Sequence, residues 1–297
     1  MAETAQTGDP EYLTVKELAE LLRLKERKVY DLAASGEVPC SRVTGKLLFP
    51  RKDIHAWIDG GQSGGTPPLG RRPNVFLGSH DPLLEWALQH SRCGLATFFD
   101  GSLDGVARLR AGEGVAAGLH VYDSVVDEWN IPAVEAAFSG QNMVLLSFAA
   151  RRRGLVMQHD LMRRVQGVAD LSGRRIVERQ PESGTARLFQ DLLSQAGVST
   201  TEFQTVDVAR NELEAVLTVS QGGADVAFGL QPLARQFGLG FVPVIEERFD
   251  LLVDRKAWFD PAMQSFAEFC ASKDFQSRAK DMAGYDVSAF GKVRWNG

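Results

Sequence analysis

Three short groups of small polar residues have the composition of an anion-binding site. They are Ser79-His80-Asp81, Gly101-Ser102 and Ser183-Gly184-Thr185, and each follows an apolar run and precedes a segment with helical spacing. The segment after the third group, residues 188–193, is amphipathic. Free amides at the start of a helix, neighbouring hydroxyls and the helix dipole all favour negative charge. The pattern predicts a site for a small oxyanion.

A catalytic site is not indicated by the same residues. The chain contains no Walker A loop and no H-E-x-x-H motif. Ser79-His80-Asp81 has the residue types of a hydrolase triad, but adjacent residues cannot form the hydrogen-bonded chain that a triad requires. Cys40, Cys93 and Cys270 lie too far apart in the sequence to suggest a zinc site or a disulfide framework. We expect a binding protein rather than an enzyme, with no metal and no cofactor other than a bound oxyanion.

The elements that position these groups alternate between strand-like and helix-like segments from residue 74 onward. This alternation predicts an α/β fold with largely parallel sheets, in which ligands bind at the carboxyl ends of the strands. The strand-like runs are residues 74–79, 94–99, 115–122, 142–149, 155–158, 174–178, 225–229 and 241–245.

Each polar residue also has a structural explanation. Ser79, Ser102 and the group at Ser183 could serve as helix caps without binding a ligand. His80 could be a hydrogen-bonding histidine beside the sheet. The run Arg151-Arg152-Arg153 separates two strand-like segments. Because buried arginines are rare unless they are paired, this run indicates a solvated turn.

A glycine- and proline-rich segment divides the chain. Residues 60–73 read GGQSGGTPPLGRRP, a composition that buries little apolar surface. We predict a domain over residues 11–59, a linker over 60–73 and a second domain over 74–297.

The first domain has the pattern of two short helices, a hairpin and a third helix. Thr14 and Glu17 have the spacing of a capping box, and Gly36 is suited to end a second helix over residues 26–35. Two short extended runs surround the turn at Thr44-Gly45, and Pro50 introduces the third helix. These elements predict a winged helix-turn-helix.

The segment LTVKELAELLRLKERKVYDLAASGEVPCSRVTGKLLFPRKDIHAWI, residues 13–58, resembles the excisionase and MerR-like helix-turn-helix family. The resemblance implies that the second helix enters the major groove of double-stranded operator DNA and that the wing contacts the flanking backbone. The alternative is a protein-binding module with ordinary solvated charges, because residues 11–59 carry nine Lys and Arg against eight Asp and Glu. The residues that the resemblance assigns to DNA are Lys25, Arg27, Lys28, Tyr30, Arg42, Lys46, Arg51 and Lys52.

The remaining chain, from about residue 75 to 286, resembles type II periplasmic-binding-protein-like domains of the molybdate-binding kind. The resemblance rests on LGSHDPLLEWAL, FFDGSLDGVARLRAGEGVAAGLHVYD, ARRRGLVMQ, VERQPESGTARLFQDLL and GGADVAFGLQPLARQFGLGFVPVIEERFDLLV. It implies two α/β lobes that clamp a ligand. Many relatives read R-Q-x-G-S-G-T-R in the site loop, whereas here Glu182 replaces a glycine and Ala186 displaces the final Arg. The expected ligand-binding residues are Ser79, His80, Asp81, Ser102, His120, Arg179, Ser183, Gly184, Thr185 and Asp225, of which His120 could instead be a structural histidine and Asp225 a turn residue.

The two resemblances together imply a one-component transcriptional regulator: an α/β protein with a small winged helix-turn-helix domain and a two-lobed sensing domain. Reading two DNA half-sites favours a homodimer. Molybdate or tungstate is the leading effector. The alternatives are a sulfur oxyanion, a small organic anion, or an accessory binding protein of molybdenum-cofactor metabolism that binds no DNA. The polar start lacks a basic and apolar leader, and no apolar stretch is long enough to span a bilayer, so we expect a cytoplasmic protein with no membrane contact.

Overall fold

A computed structural model of the 297-residue chain describes residues 11–42, 45–60, 72–181 and 183–297. Most of the predicted linker, Thr44 of the wing turn and Glu182 lie outside the described residues. The chain divides into two compact units, Met1–Arg71 and Arg72–Gly297. In the part of the chain that the structure describes, no helix is long and apolar enough to cross a membrane.

The first unit is a small helical domain with a two-stranded sheet. Thr14 Oγ1 accepts a hydrogen bond from the backbone of Glu17, whose carboxylate in turn accepts from Thr14 N, so the predicted capping box is present. Gly36, with φ of 74°, ends the second helix as expected. The elements are β1 Tyr12–Leu13, α1 Val15–Leu22, α2 Glu26–Ser35, β2 Phe49–Pro50 and α3 Arg51–Gly60.

Among the described residues, the wing of this unit is closed by one backbone bridge. Ser41 and Leu48 form an isolated bridge with N···O distances of 2.7 and 3.0 Å. The chain then continues into β2, which pairs antiparallel with β1. Apolar side chains from all three helices and both strands form the core: Leu13, Leu18, Ala19, Val29, Leu32, Ala33, Val38, Phe49 and Ile54.

The second unit is built on one mixed sheet with the strand order β10-β9-β11-β8-β12-β5-β3-β4. Its first half consists of β3 Val75–Gly78, α4 Pro82–Ser91, β4 Ala96–Phe99, α5 Ser102–Arg110, β5 Ala116–Leu119, β6 Tyr122–Asp123, β7 Glu128–Trp129, α6 Ile131–Phe138 and β8 Met143–Met157. Its second half consists of β9 Arg175–Arg179, α7 Gly184–Gln195, β10 Gln204–Ala209, α8 Glu212–Ser220, β11 Val226–Leu230, α9 Gln231–Gln236, β12 Gly240–Asp254, α10 Arg255–Trp258, α11 Pro261–Cys270, α12 Lys273–Asp281, β13 Tyr285–Asp286 and β14 Val293–Asn296.

Two long antiparallel strands, β8 and β12, join two lobes. Strands β3, β4 and β5 run parallel to one another beside one half of β12 and form the first lobe with α4–α6 and α10–α12. Strands β9, β10 and β11 run parallel to one another, and β11 pairs antiparallel with one half of β8. These strands form the second lobe with α7–α9. Apolar clusters fill both faces of the sheet in each lobe. The α/β fold with two lobes is therefore present as predicted.

The predicted turn at the arginine run is wrong. Arg151 and Arg153 lie in the middle of β8 and are fully buried, and β12 pairs with them at Glu247 and Ile245. The predicted strands 142–149 and 155–158 are one strand, and the predicted strand 241–245 is the first part of another. The reason is that buried carboxylates pair with these guanidinium groups, which offsets much of the cost of burying them in a strand.

Candidate functional site

The carboxyl ends of the parallel strands bring most of the predicted ligand residues together. Ser79 follows β3, Ser102 begins the helix after β4, and His120 follows β5. The hydroxyl oxygens of Ser79 and Ser102 are 2.8 Å apart, and Ser102 Oγ accepts a hydrogen bond of 3.1 Å from His120 N. All three residues are nearly inaccessible to solvent. They form a connected polar surface on the first lobe.

The second lobe meets this surface through the start of α7. A Cβ atom added to Gly184 would lie 2.6 Å from the carbonyl oxygen of His120, so the two backbones are in close contact. Gln180 Nε2 also donates to Asp100 O at 3.1 Å. The two lobes are therefore closed on each other, and Ser183, Gly184 and Thr185 lie buried between them.

A cluster of buried charged side chains lies next to the contact between the lobes. Arg151 pairs with Asp81 through Nη1 and with Glu247 through Nε, both at 2.5 Å. Arg153 Nε lies 2.8 Å from the second oxygen of Glu247, and Arg153 Nη2 lies 3.0 Å from Glu212. Glu247 thus connects the two arginines, and the cluster spans the centre of the sheet.

Arg179 extends the cluster, and each of its three guanidinium nitrogens already contacts a protein acceptor. Its Nη1 lies 2.9 Å from Glu212, while Nε and Nη2 donate to the carbonyl oxygens of Ala209 and Arg210. Thr185 Oγ1 donates to the same Glu212 carboxylate at 2.8 Å. Arg179 therefore holds the start of α8 and Glu212 in place.

The buried charges cancel. Three guanidinium groups face three carboxylates, Asp81, Glu212 and Glu247. Burial would raise the pKa of Glu212, but attraction to Arg153 and Arg179 outweighs it and lowers the pKa to about 2. Burial would likewise raise the pKa of Glu247, which Arg151 and Arg153 hold well below its ordinary value. The site therefore offers no surplus positive side-chain charge to an incoming anion.

His120 is neutral in this environment. Burial lowers its pKa more than the attraction of nearby Glu247 raises it. Its Nδ1 lies 3.3 Å from a Glu247 oxygen, and its ring stacks on Phe249. At neutral pH the imidazole can donate one hydrogen bond and accept another.

The donors that remain for an anion are neutral groups. Ser183 caps α7 by accepting a hydrogen bond from Ala186 N at 3.1 Å. The amides of Gly184 and Thr185 have no hydrogen-bond partner among the described residues. The first amides of a helix carry partial positive charge, so this end of α7 can hold an anion without a cationic side chain.

Three predicted ligand residues have other contacts. His80 Nε2 lies 3.1 Å from Glu85. Asp81 caps α4 in addition to binding Arg151. Asp225 pairs with Arg175 at 2.7 Å at the amino ends of β11 and β9, the opposite end from Ser183. The structure does not bring Asp225 to the other predicted residues, because it precedes its strand rather than following it.

Comparison with known proteins agrees with this two-domain architecture. A model of the PBP superfamily domain matches residues 84–271, more than half of the chain. The chain belongs to the PBP superfamily. A helix-turn-helix domain model matches residues 12–62, so the second unit is a PBP domain and the first is a helix-turn-helix domain.

Relatives and solved structures match this chain over different lengths. The uncharacterized protein YvgK of Bacillus subtilis is 26% identical over 94% of this chain and 96% of its own length. An uncharacterized protein from the 5' region of a ferredoxin 2Fe-2S gene in Clostridium pasteurianum is 29% identical over 28% of this chain and 74% of its own length. A substrate-binding protein from Clostridium perfringens, solved with bound phosphate, superimposes with a TM-score of 0.50 at 12% identity, covering 74% of this chain and 99% of its own. At that identity the likeness shows the fold.

Sequence reasoning missed the charged centre of the PBP domain. Arg151, Arg153, Glu212, Glu247 and Tyr285 were not among the expected site residues. Tyr285 donates to Asp81 at 2.6 Å. The signal in the sequence is alternation: Arg151 and Arg153 occupy every second position within an apolar strand, which places both on one face.

The expected DNA-contacting residues of the helix-turn-helix domain differ in solvent exposure. Lys25, Arg27 and Lys28 are exposed at the start of α2. Tyr30 on the same helix is 52% exposed. Arg42 donates to Ala33 O at 2.8 Å and so closes the end of α2. The other three residues assigned to DNA are exposed Lys46 on the wing, half-buried Arg51 and exposed Lys52.

Proposed function

We propose that this protein is a ligand-responsive transcriptional regulator, in which the helix-turn-helix domain binds operator DNA and the PBP domain closes on a small anion. The closed contact between the lobes is the main support. His120 on one lobe touches Gly184 on the other, with serine hydroxyls and helix amides beside them. A ligand that binds only the closed arrangement shifts the protein toward it, which is what a signal requires.

The anion would be held by neutral donors. The side chains of Ser79, Ser102 and Ser183, together with the amides of Gly184 and Thr185, can surround a small oxyanion. The charge-balanced cluster behind them fixes their positions without adding charge. Molybdate or tungstate is the leading candidate, from the resemblance to molybdate-binding domains. A sulfur oxyanion and a small organic anion are the competing candidates.

The assembly we propose is a cytoplasmic homodimer on double-stranded DNA. Regulators with a helix-turn-helix commonly read two half-sites related by a two-fold axis, so one chain supplies one reader. An accessory binding protein without DNA affinity is the outcome to be distinguished by experiment.

Thermal unfolding of the full-length protein in the presence of single anions tests the ligand. The panel holds molybdate, tungstate, sulfate, thiosulfate, phosphate and several organic acids. An anion at 100 times its Kd should stabilise the native state by about 2.7 kcal/mol. We expect Ser183→Ala to abolish the shift. The matched control is Ser272→Ala, which removes an equivalent helix cap from α12, outside the lobe contact, and should leave the shift intact. If no anion stabilises the protein, the anion proposal fails.

DNA binding is tested separately with the same protein. Genomic fragments retained by the immobilised chain are sequenced and then titrated with and without the stabilising anion. We expect a specific fragment whose affinity changes with the anion. Anion binding without any specific DNA binding would indicate the accessory binding protein instead.

A further inference from the structure

The second lobe contains a cavity beside the proposed anion site. It has a volume of about 410 Å³, and all of its lining residues come from β9, α7, β11 and the segment between β9 and α7. This volume falls in the range of roughly 300–1,000 Å³ typical of sites for organic ligands. The cavity is therefore large for a bare tetrahedral anion. Its lining comprises Val177, Glu178, Arg179, Pro181, Thr185, Ala186, Arg187, Phe189, Gln190, Asp191 and Phe228.

One side of the cavity is aromatic. The rings of Phe189 and Phe228 stack with centroids 5.0 Å apart and planes inclined by 19°. Val177 and Ala186 add apolar surface. Flat apolar surface of this kind favours the body of an organic molecule, because the contact removes apolar area from water on both sides.

The polar side of the cavity is acidic. Glu178 and Asp191 are half-buried, and their carboxylates form no hydrogen bond or ion pair among the described residues. Arg179 also lines the cavity, but Glu212 already neutralises it. Arg187 is exposed, so solvent weakens its field more than the fields of the two carboxylates. The uncompensated charge of the lining is therefore negative.

We propose that this cavity binds a small organic amine, with its apolar body against Phe189 and Phe228 and its ammonium group toward Glu178 and Asp191. The cavity differs from the proposed anion site in charge, and the first lobe contributes none of its residues; Thr185 is the residue that the two sites share. Thr185 belongs to the cavity wall and also donates to Glu212 in the buried charge cluster. An amine in the cavity thus lies next to the residues on which the lobes close.

Four indole compounds of similar shape separate the contribution of charge from that of the ring. Tryptamine carries an ammonium group, tryptophan is a zwitterion, indole-3-acetate is an anion and indole is uncharged. Isothermal titration of the full-length protein at pH 7 should show that tryptamine binds at least tenfold more tightly than indole-3-acetate and indole. Equal or tighter binding of the anion, or no tryptamine binding up to about 1 mM, which corresponds to about −4 kcal/mol, would overturn the proposal.

Paired variants locate the site. The double variant Glu178→Gln/Asp191→Asn should weaken tryptamine at least tenfold and leave indole unchanged. The double variant Asp207→Asn/Glu246→Gln removes the same charge from exposed positions outside the cavity and should leave tryptamine unchanged. Gln190→Trp, which adds an indole ring at the exposed rim, should remove binding of all four compounds. If the two double variants weaken tryptamine equally, the effect is general electrostatics and the site assignment is wrong.

Testing both variants with the anion panel and with tryptamine distinguishes the amine site from the proposed anion site. Glu178→Gln/Asp191→Asn should retain the thermal shift given by the effective anion, while Ser183→Ala should retain tryptamine binding. Each proposal can then fail without the other.

Discussion

At the scale of single residues, Glu247 is the carboxylate on which the buried charges of the PBP domain depend. One oxygen faces Arg151 at 2.5 Å and the other faces Arg153 at 2.8 Å. Glu247→Gln preserves the shape but leaves two buried guanidinium groups short of a counter-charge. Breaking a buried pair from one side costs about 3–5 kcal/mol. We expect a loss of about 3 kcal/mol in the free energy of unfolding, measured by urea denaturation followed by circular dichroism.

The control for this variant is an ion pair in solvent. Glu113 lies 2.7 Å from Arg108 on the surface of the first lobe and is 49% exposed. Glu113→Gln removes the same charge by the same chemical change, and the urea midpoint should not move measurably. Similar midpoints for the two variants would mean that water reaches Glu247 and that the cluster is not sealed.

Asp250 gives the PBP domain a pH dependence of unusual sign. Burial raises its pKa to about 6, despite the hydrogen bond of 2.8 Å that it accepts from Asn130. The folded state therefore holds the proton more tightly than the unfolded state, whose pKa is about 3.9. Stability falls as the pH rises from about 4 to 6, and the full cost remains above pH 6. A difference of about two pKa units corresponds to roughly 2–3 kcal/mol.

Asp250→Asn should recover this cost, because the amide oxygen can still accept from Asn130 without carrying charge. We expect the variant to be more stable than the unmodified protein at pH 8 and nearly equal to it at pH 4, by urea denaturation at both pH values. Asp225→Asn is the opposite control. Burial would raise the pKa of Asp225, but hydrogen bonds from Arg175 lower it, so this variant should lose stability at pH 8. A loss of stability for Asp250→Asn at pH 8 would contradict the assignment.

At the scale of elements, local signals in the sequence predicted what local physics determines. The capping box at Thr14, the glycine that ends α2 and the strand-to-helix groups at Ser79 and Ser183 each depend on a few neighbouring residues. These signals placed the helices and the carboxyl ends of the strands. The fold and most of the candidate anion site could be predicted from these signals together with the family resemblances.

The long strands could not be predicted in the same way. Arg151 and Arg153 are compatible with a strand only because Asp81, Glu212 and Glu247 meet them from distant parts of the chain. Pairing at such sequence separations leaves no local signature, so a run of arginines indicates a solvated turn when it is considered alone. The same dependence on distant partners concealed the role of Glu247 in β12.

The start of α7 is the element on which closure of the lobes depends. Gly184 has no positive φ that would exclude a side chain, but a Cβ there would lie 2.6 Å from His120 O on the other lobe. Gly184→Ala should therefore form α7 normally and hold the lobes apart. Gly167→Ala is the control, because its backbone is extended and its Cβ would meet nothing within 4 Å.

Spin labels on the two lobes measure this opening directly. Cysteines at Ser139 and Gln195, exposed at the ends of α6 and α7, carry the labels in a Cys40→Ser background. We expect a longer mean distance for Gly184→Ala than for Gly167→Ala, and an affinity for the effective anion at least tenfold lower. An unchanged distance with unchanged affinity would show that the lobes do not need this contact to close.

At the scale of the whole molecule, charge is distributed unevenly along the chain. The full chain has a net charge of −5, whereas residues 11–59 carry a net charge of +1. Attraction to DNA must therefore come from local groups on the helix-turn-helix domain. Because each phosphate contact releases counterions, the logarithm of the affinity falls with the logarithm of the salt concentration in proportion to the number of contacts.

The slope of log affinity against log salt therefore reports how many lysines contact phosphate. Lys25, Lys28 and Lys52 are exposed on the helix-turn-helix domain. Changing all three to Ala should weaken binding to every DNA sequence and reduce the slope of the salt plot by about three, roughly one for each contact. Fluorescence anisotropy with a labelled duplex at several salt concentrations measures the slope.

Lys292→Ala, at an exposed position on the PBP domain, should leave the slope unchanged. A slope that falls equally in both proteins would mean that overall charge, rather than the surface of α2 and α3, determines affinity, and the assignment of these residues to DNA would be wrong.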